Sequence, residues 1–331
     1  MSARVLGRFS VLDHGFAELL DVMPSCPPTW SCVCDRSELS EAEYAVLTAA
    51  RTSTGGEAKG YETDLRLLTY LLRNRHSTPF EMVEFKFRLQ MPISVCRQHI
   101  RHRTANVNEY STRYAEAIDH VYVPPIFNGQ GSMNKQGSIG PLISWPEGSH
   151  IIHDASPECL DDQRDTCILP TGEVLSLMNP AETVQEYIQR TRLATIGVSK
   201  DQYETELALG VSREVARGNI PVDNYTLLVW KIDLWNLLHY FGLRLDHHAQ
   251  GEIRTYAKAM WDLVYPYVPH ILDLFEDIRI NGLHLSGSDC AAISGFLAGV
   301  NALPRKLIDP MGRLGYSLSD LETVGLGVQQ K

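Results

Sequence analysis

The alternation of residues 83–90 constrains the fold of this chain more than any other stretch. Val83, Phe85, Phe87 and Leu89 are apolar, and each residue that separates them is charged. Successive side chains of a β-strand point to opposite faces of a sheet, so this pattern predicts a strand with one buried face. The chain must therefore build a sheet that is covered on one side.

Other helices and strands are predicted before and after this strand. The pair Ser40 and Glu43 forms a capping-box pattern that opens a helix, and Pro92 suits the first turn of another. We also expect a hairpin around Asp13-His14-Gly15, a loop at residues 104–111, a helix break near Gly197 and a helix cap at Asp233. Arg97 and Arg101 are four positions apart and are expected to share a face of the helix after Pro92. Apolar periodicity and turn residues predict helices at about 40–51, 64–74, 92–103, 179–210, 212–217, 234–242 and 247–264, and strands within 5–22 and at 225–232.

A basic segment follows the alternating strand. Residues 86–113 contain six lysines or arginines, two histidines and a single acid, Glu109, in a chain of net charge −10. Guanidinium groups match the oxygens of phosphates and carboxylates, so the segment favours binding of a phosphorylated small molecule. A solvated basic helix end is the plainer alternative, because cations are favourable near a helix C-terminus.

The composition excludes several classes of protein. The hydrophobic fraction of 44% and the charged fraction of 21% are typical of a globular protein. The acidic balance argues against nucleic-acid binding, although an RNA-binding module using the basic segment is a further alternative. No apolar leader or long apolar run is present, which predicts a cytoplasmic protein away from membranes. Seven scattered cysteines predict neither a disulfide framework nor a metal site.

Two blocks of the sequence resemble the flavin-dependent thymidylate synthases. Arg101, His102 and Arg103, then seven residues and Ser111, reproduce the RHR-x7-S signature of that family. The block GVSREVAR, IPVDNYT and LRLDHHAQGEIR in residues 210–254 is similar as well. The resemblance covers roughly residues 10–114 and 203–276 and implies an α+β fold, with a small, mainly antiparallel sheet flanked by helices.

The resemblance implies a reaction and its cofactors. In that family dUMP is methylated to dTMP, with FAD as cofactor and with methylenetetrahydrofolate and NADPH as co-substrates. Arg244, in LRLD, would activate the uracil ring. The FAD lies at the interfaces of a homotetramer, so the resemblance also implies assembly. No G-x-G-x-x-G or P-loop motif is present to hold a nucleotide in another way.

The family's site residues map onto this chain one by one. For dUMP the resemblance implies Gln98, His99, Arg101, Glu109, Tyr110, Ser111, Thr112, Arg113, Arg217 and Arg244. For FAD it implies His76, Thr78, Arg101, His102, Arg103, Glu109, Asp233, Trp235, His239 and His248. Cys96 is assigned a packing role. His247 and His248, adjacent on the predicted helix, make a poor metal pair.

Three positions depart from the family pattern. Asp233, Trp235 and His239 stand where some members have Asn, Arg and Asn. A catalytically silent homologue that binds flavin or nucleotide is therefore the alternative to an active enzyme. We expect a family domain over residues 1–280, with a long insert at about 115–180, and a helical extension at 281–331 of unknown role.

Overall fold

The computed structural model of the chain describes residues 5–25, 38–57, 59–130, 138–152, 165–179, 181–282 and 286–287. Several sequence features lie outside these residues. They are the cysteine-rich loop with Cys26, Cys32 and Cys34, the NKQG stretch at 134–137, Pro180 and almost all of the predicted extension at 281–331. No helix in the described part of the chain is long and apolar enough to span a membrane.

The chain divides into two compact units, which are considered separately. The first consists of Met1–Ser25 and Glu84–Val264, and the second of Cys26–Val83 and Tyr265–Lys331.

The first unit is organised around a five-stranded antiparallel sheet in the order β1-β2-β3-β10-β4. Strands β1 and β2 form the hairpin expected around Asp13-His14-Gly15. The strands are β1 Gly7–Val11, β2 Gly15–Met23, β3 Glu84–Pro92, β4 Asn106–Glu109 and β10 Tyr225–Asp233.

The buried face of the sheet is the one that the alternation predicted. Phe85, Phe87 and Leu89 are fully buried and lie opposite Ile232, Trp230 and Leu228 of β10. Opposed residues of antiparallel strands share a face, so these six side chains form one apolar layer. The central pair of strands is therefore fixed by its core.

Helices of the first unit complete this core. They are α3 Ile93–His99, α4 Val184–Ala208, α5 Arg213–Ala216, α6 Leu234–Arg244 and α7 Gly251–Val264. Helix α6 begins at Asp233, whose carboxylate accepts from the Asn236 backbone N–H at 2.9 Å. Parts of the insert form two small antiparallel sheets from β5 Asn128–Gln130, β6 Ser138–Pro141, β7 His150–Ile152, β8 Thr166–Ile168 and β9 Val174–Ser176.

The second unit is helical in its described part. Its helices are α1 Glu41–Thr52, α2 Tyr61–Arg73 and α8 Pro269–Phe275, which continues into a π-helical turn at Glu276–Ile280. The predicted capping box is present, since Ser40 accepts from the Glu43 N–H and the Glu43 carboxylate accepts from the Ser40 N–H. Buried Glu43 also accepts from His270 and Ile271 N–H groups, which ties α1 to α8.

Several predicted boundaries were wrong. Helix α3 ends at His99 instead of about Arg103, and Pro92 precedes its first residue. Helix α4 is capped by Thr183 and runs through Gly197 without a break. Helix α6 passes Gly242 and ends at Arg244. A glycine inside a helix costs only about 1 kcal/mol relative to alanine, which is too little to break a helix with this many favourable residues.

Candidate active site

Arg244 is the residue that joins the two resembling blocks of sequence. It lies in the last turn of α6, and its Nε donates to Nε2 of His102 at 3.0 Å. Its Nη2 donates to the backbone carbonyl of Gln98 at 3.1 Å. The buried residues Leu237 and Phe241 set the rotation of α6, so the guanidinium is directed at the end of α3. The two helical residues beyond Gly242 bring it there.

His102 is held as a neutral imidazole. Its Nε2 must accept the hydrogen bond from Arg244, which places any proton on Nδ1. Burial, the Arg244 charge and the nearby His239 lower the pKa of His102 to about 4. The His239 ring is exposed and lies 6.0 Å from the His102 ring between centroids. Arg244 is therefore a permanent cation beside an uncharged ring.

His99 supports this arrangement from within the core. Its side chain is fully buried, its ring packs 4.3 Å from Trp230, and its Nδ1 lies 3.2 Å from the Tyr240 hydroxyl. Burial, His102 and Arg244 lower the pKa of His99 to about 3. The side chain is enclosed within this chain, where it packs beneath the site, and the expected contact of His99 with dUMP stays a prediction. Tyr240 also packs edge-on against His102 at 4.8 Å.

The residues just before α7 also contact the end of α3. The side chain of Gln98 donates to the side chain of Gln250, which immediately precedes α7. His248 precedes the helix too and contacts the Asp246 carboxylate at 2.8 Å. His247 and His248 lie in a turn and not on a helix as expected, and their rings are tilted by 42° with centroids 3.7 Å apart. With Asp246 they form a group of exposed potential metal ligands.

Further cationic residues lie in and around α5. Arg113 lies 3.3 Å from the Glu214 carboxylate, and Arg217 Nε donates to the Glu214 carbonyl at 3.3 Å. A parallel contact joins Arg213 to Glu116 at 3.3 Å. The ion pairs are exposed, so each contributes little stability. Arg113 and Arg217 both contact Glu214, so the two arginines lie close together.

The residues after the RHR turn line the edge of the sheet. The NVNE stretch, expected to be loop, is the edge strand β4, paired with β10. Glu109 accepts from the Thr226 hydroxyl at 2.9 Å and lies near the Cys96 thiol. Tyr110 donates to the Glu116 carbonyl at 2.7 Å, and Ser111 accepts from the Arg113 N–H at 3.4 Å. Thr112 follows in the same turn and is half-buried.

Arg101 and Arg103 are suited to hold an anionic group. Both side chains are exposed, and neither makes a hydrogen bond or ion pair with a residue that the structure describes. Arg101 lies beyond α3, so the shared helix face expected for Arg97 and Arg101 does not exist. Unpaired guanidinium forks beside neutral donors fit the phosphates of a nucleotide and of a dinucleotide cofactor.

Four other residues predicted to bind FAD have surroundings unlike those of Arg101 and Arg103. They are Asp233, Trp235, His76 and Thr78. Both carboxylate oxygens of Asp233 are used within α6, by the N–H and the side-chain amide of Asn236. That carboxylate serves as a helix cap, and its expected direct contact with FAD stays a prediction. Trp235, two residues further on, is half-buried. His76 and Thr78 belong to the second unit, where both are exposed and the His76 ring lies 5.6 Å from Tyr70.

Sequence reasoning missed three residues of this site: Thr226, Tyr240 and Gln250. Each touches a predicted site residue, and none of them is charged. Thr226 stands two positions before Leu228, which pairs with Glu109. The nearness of Thr226 to Glu109 follows only from the pairing of β10 with β4. Gln250 could have been found from the sequence, because it belongs to the HAQ of the second resembling block.

The fold and the site define an α+β protein with a cationic surface, suited to a phosphorylated ligand, along one sheet edge. Comparison with known proteins gives the family. Residues 36–270 match the family described as "Thymidylate synthase complementing protein". A "Flavin-dependent thymidylate synthase" of Wolbachia pipientis wMel is 36% identical over 293 residues, which cover 88% of this chain and 84% of that protein. One from Dictyostelium discoideum is 36% identical over 285 residues, covering 86% and 78%.

A solved structure has the same fold. The UMP/dUMP methylase PolB from Streptomyces cacaoi, bound with 5-Br dUMP, superposes with a TM-score of 0.58 at 23% identity. The match covers 82% of this chain and 98% of that one. The chain belongs to the thymidylate synthase complementing protein family, that of the flavin-dependent thymidylate synthases. The predicted family, α+β fold and enzyme class are confirmed.

Proposed function

We propose that this protein is an FAD-dependent thymidylate synthase that methylates dUMP to dTMP, with methylenetetrahydrofolate as carbon donor and NADPH as reductant. The observation that carries the proposal is the contact of Arg244 with His102 and with the Gln98 carbonyl. It joins the two motif blocks into one cationic surface. The similarity to enzymes of that name over most of the chain supports the same reaction.

The binding of dUMP is assigned to the polar groups on this surface. The arginines bind mainly the phosphate, because guanidinium forks match its oxygens. The neutral and acidic groups orient the sugar and base. The set is Gln98, Arg101, Glu109, Tyr110, Ser111, Thr112, Arg113, Arg217 and Arg244. The contact between Arg113 and Glu214 keeps Arg113 and Arg217 on one side of the site.

Arg244 is the proposed catalytic residue. Carbon C5 of uracil is a weak nucleophile, and its activation builds negative charge on the ring. A guanidinium held in advance by two acceptors needs no reorganisation to stabilise that charge. The neutral His102 leaves the full Arg244 charge available, because it accepts a hydrogen bond without pairing the cation with an anion.

FAD, when bound, supplies the hydride and accepts electrons from NADPH. Among this chain's residues we assign its binding to His76, Thr78, Arg101, His102, Arg103, Glu109, Trp235, His239 and His248. Arg101 and Arg103 suit its diphosphate because their side chains are exposed and unpaired within the described residues. Asp233 contributes by capping α6, which orients Trp235 and His239.

We also propose that the protein is a cytoplasmic homotetramer with shared sites. Helix α4 supports assembly, because only Val184 and Tyr203 of its 25 residues are buried. Leu193, Val198 and Leu209 are exposed along or just after it. Residues 1–280 would act as the family domain, with the 115–180 insert and the 281–331 extension outside its common part.

The test is spectroscopic and enzymatic. The purified protein should show a flavin absorption spectrum that NADPH bleaches, and dTMP should form when dUMP and methylenetetrahydrofolate are added. The matched control omits dUMP. Flavin reduction and dUMP binding without any dTMP would contradict the proposal and favour the silent homologue. A protein that binds neither FAD nor dUMP would contradict both assignments.

A further inference from the structure

Glu109 is an acid in a cationic setting that forms no ion pair within the described part of the chain. It is the single acid of residues 86–113 and lies on the exposed edge strand β4. Arginines flank it in sequence, yet the side-chain group that donates to its carboxylate is a hydroxyl, that of Thr226. Neutral donors orient a carboxylate without neutralising it, so its charge and its remaining lone pairs stay available.

The strand register explains how Thr226 reaches Glu109. Glu109 lies opposite Leu228 of β10, and Thr226 stands two residues before Leu228 on the same face. Such diagonal neighbours are within reach of a long side chain. The Thr226 hydroxyl donates to Oε1 of Glu109 at 2.9 Å, and Thr226 is only 4% exposed. Its buried side chain therefore has a fixed position from which to hold a mobile glutamate.

Cys96 lies near the same carboxylate. It belongs to α3 and is buried at 1% exposure. Burial, and then the Glu109 charge, raise the pKa of the Cys96 thiol to about 12. The thiol therefore stays uncharged at neutral pH and leaves the charge of Glu109 uncompensated.

We propose that Thr226 is a positioning residue that aims the Glu109 carboxylate at a neutral N–H or O–H donor of the bound uridylate. Thr226 itself touches no ligand. The inference rests on the proposed function, because it assumes that the nucleotide on this surface is dUMP. It adds a specificity element on β10, since a carboxylate held in this way rejects a ligand that offers an acceptor there.

The test distinguishes the contribution of the Thr226 hydroxyl to dUMP binding from the contribution of its methyl group. Thr226→Val keeps the shape and removes the donor, while Thr226→Ser keeps the donor. Calorimetric titration of the FAD-loaded protein with dUMP should show a Kd raised about tenfold for Thr226→Val and within about twofold of wild type for Thr226→Ser. Thr191→Val is the matched control, because Thr191 donates to carbonyls inside α4.

A double-mutant cycle tests whether Glu109 is the side chain that Thr226 positions. In a Glu109→Ala background, adding Thr226→Val should change the Kd for dUMP by less than about twofold, because the group that Thr226 positions is absent. Equal losses for Thr226→Val and Thr226→Ser would overturn the proposal, as would a wild-type Kd for Thr226→Val.

The same titration separates this inference from the proposed function. A wild-type protein that makes dTMP while Thr226→Val binds dUMP normally overturns the inference alone. A wild-type protein that binds dUMP without making dTMP overturns the proposed function, and the Kd of the Thr226 variants still decides the inference. A protein without dUMP affinity overturns both.

Discussion

Arg244 donates its Nε–H to the unprotonated Nε2 of His102 at 3.0 Å, so the proposed catalytic cation is held by a ring that must remain neutral. A protonated His102 could offer only N–H groups, which would repel the guanidinium. The depressed pKa of His102 and the Arg244 geometry therefore have a common cause.

Removal of the His102 acceptor should slow the reaction. We expect His102→Leu to lower dTMP formation about 10- to 100-fold at saturating FAD, because a hydrogen bond to a charged group contributes roughly 1.5–3 kcal/mol. His102→Gln, which can still present an oxygen, should lose less. Turnover measured with bound flavin quantified in the same sample checks this. Equal rates for both variants and wild type would show that Arg244 needs no such support.

Removal of the cation itself should be more severe. Arg244→Ala should lower methylation by at least about 10²- to 10³-fold, the usual effect of losing a group that stabilises developing charge. Flavin should remain bound, because Arg101 and Arg103 are unchanged. Release of tritium from C5-labelled dUMP gives the readout. Arg66→Ala, on the surface of α2, is the control and should behave as wild type. Wild-type turnover in Arg244→Ala would exclude the catalytic assignment.

Stability should fall at mildly acidic pH because of His99. Its folded-state pKa is about 3, below its ordinary value of 6.5. Below about pH 6.5 the unfolded chain therefore binds a proton that the folded chain excludes. The contribution of neutral His99 is complete above pH 6.5 and is lost as the pH falls towards 3, at up to about 1.4 kcal/mol per pH unit.

Urea denaturation at pH 7 and pH 5 measures this loss. His99→Gln should reduce the difference in unfolding free energy between the two pH values, and the part that remains comes from His102, whose pKa is lowered to about 4. His150→Gln, which changes an exposed histidine, should leave the difference as in wild type. A His99→Gln protein with the wild-type pH dependence would assign the acid sensitivity to other groups.

The buried ion pair of the second unit should be important for its stability. Arg51 Nη2 contacts Asp64 Oδ1, and both side chains are almost wholly buried. Asp64→Ala leaves the Arg51 charge uncompensated, which typically costs about 3–5 kcal/mol. Asp262→Ala, which breaks the exposed pair with Lys258, should cost less than about 1 kcal/mol. Chemical denaturation distinguishes the two, and similar losses would mean that Asp64 is not energetically special.

Features with strong local signals were predicted well. The alternation at Phe85, Phe87 and Leu89 gave the central strand and its buried face. The capping box at Ser40 and the cap at Asp233 gave two helix starts. These signals succeed because neighbouring residues alone satisfy them, through backbone periodicity or a hydrogen bond across a few positions.

Features that depend on distant partners were missed. The NVNE stretch has no apolar alternation, and it is a strand only because β10 offers it an unpaired edge. His99 has polar neighbours in sequence but lies in the core, since Trp230 and Tyr240 enclose it. The helix ends at His99 and Arg244 were also not predicted from the sequence, because tertiary contacts outweigh weak local propensities.

The sequence by itself determined the family, the central strand and nearly all the charged groups of the site. It did so because motifs record which residue types the chemistry needs. Only the tertiary structure decided that Arg244 meets His102, that His99 is buried, and that Thr226 reaches Glu109. These relations join residues more than a hundred positions apart. Packing of α6 and pairing of β10 create them, and neither is encoded in any one stretch of the chain.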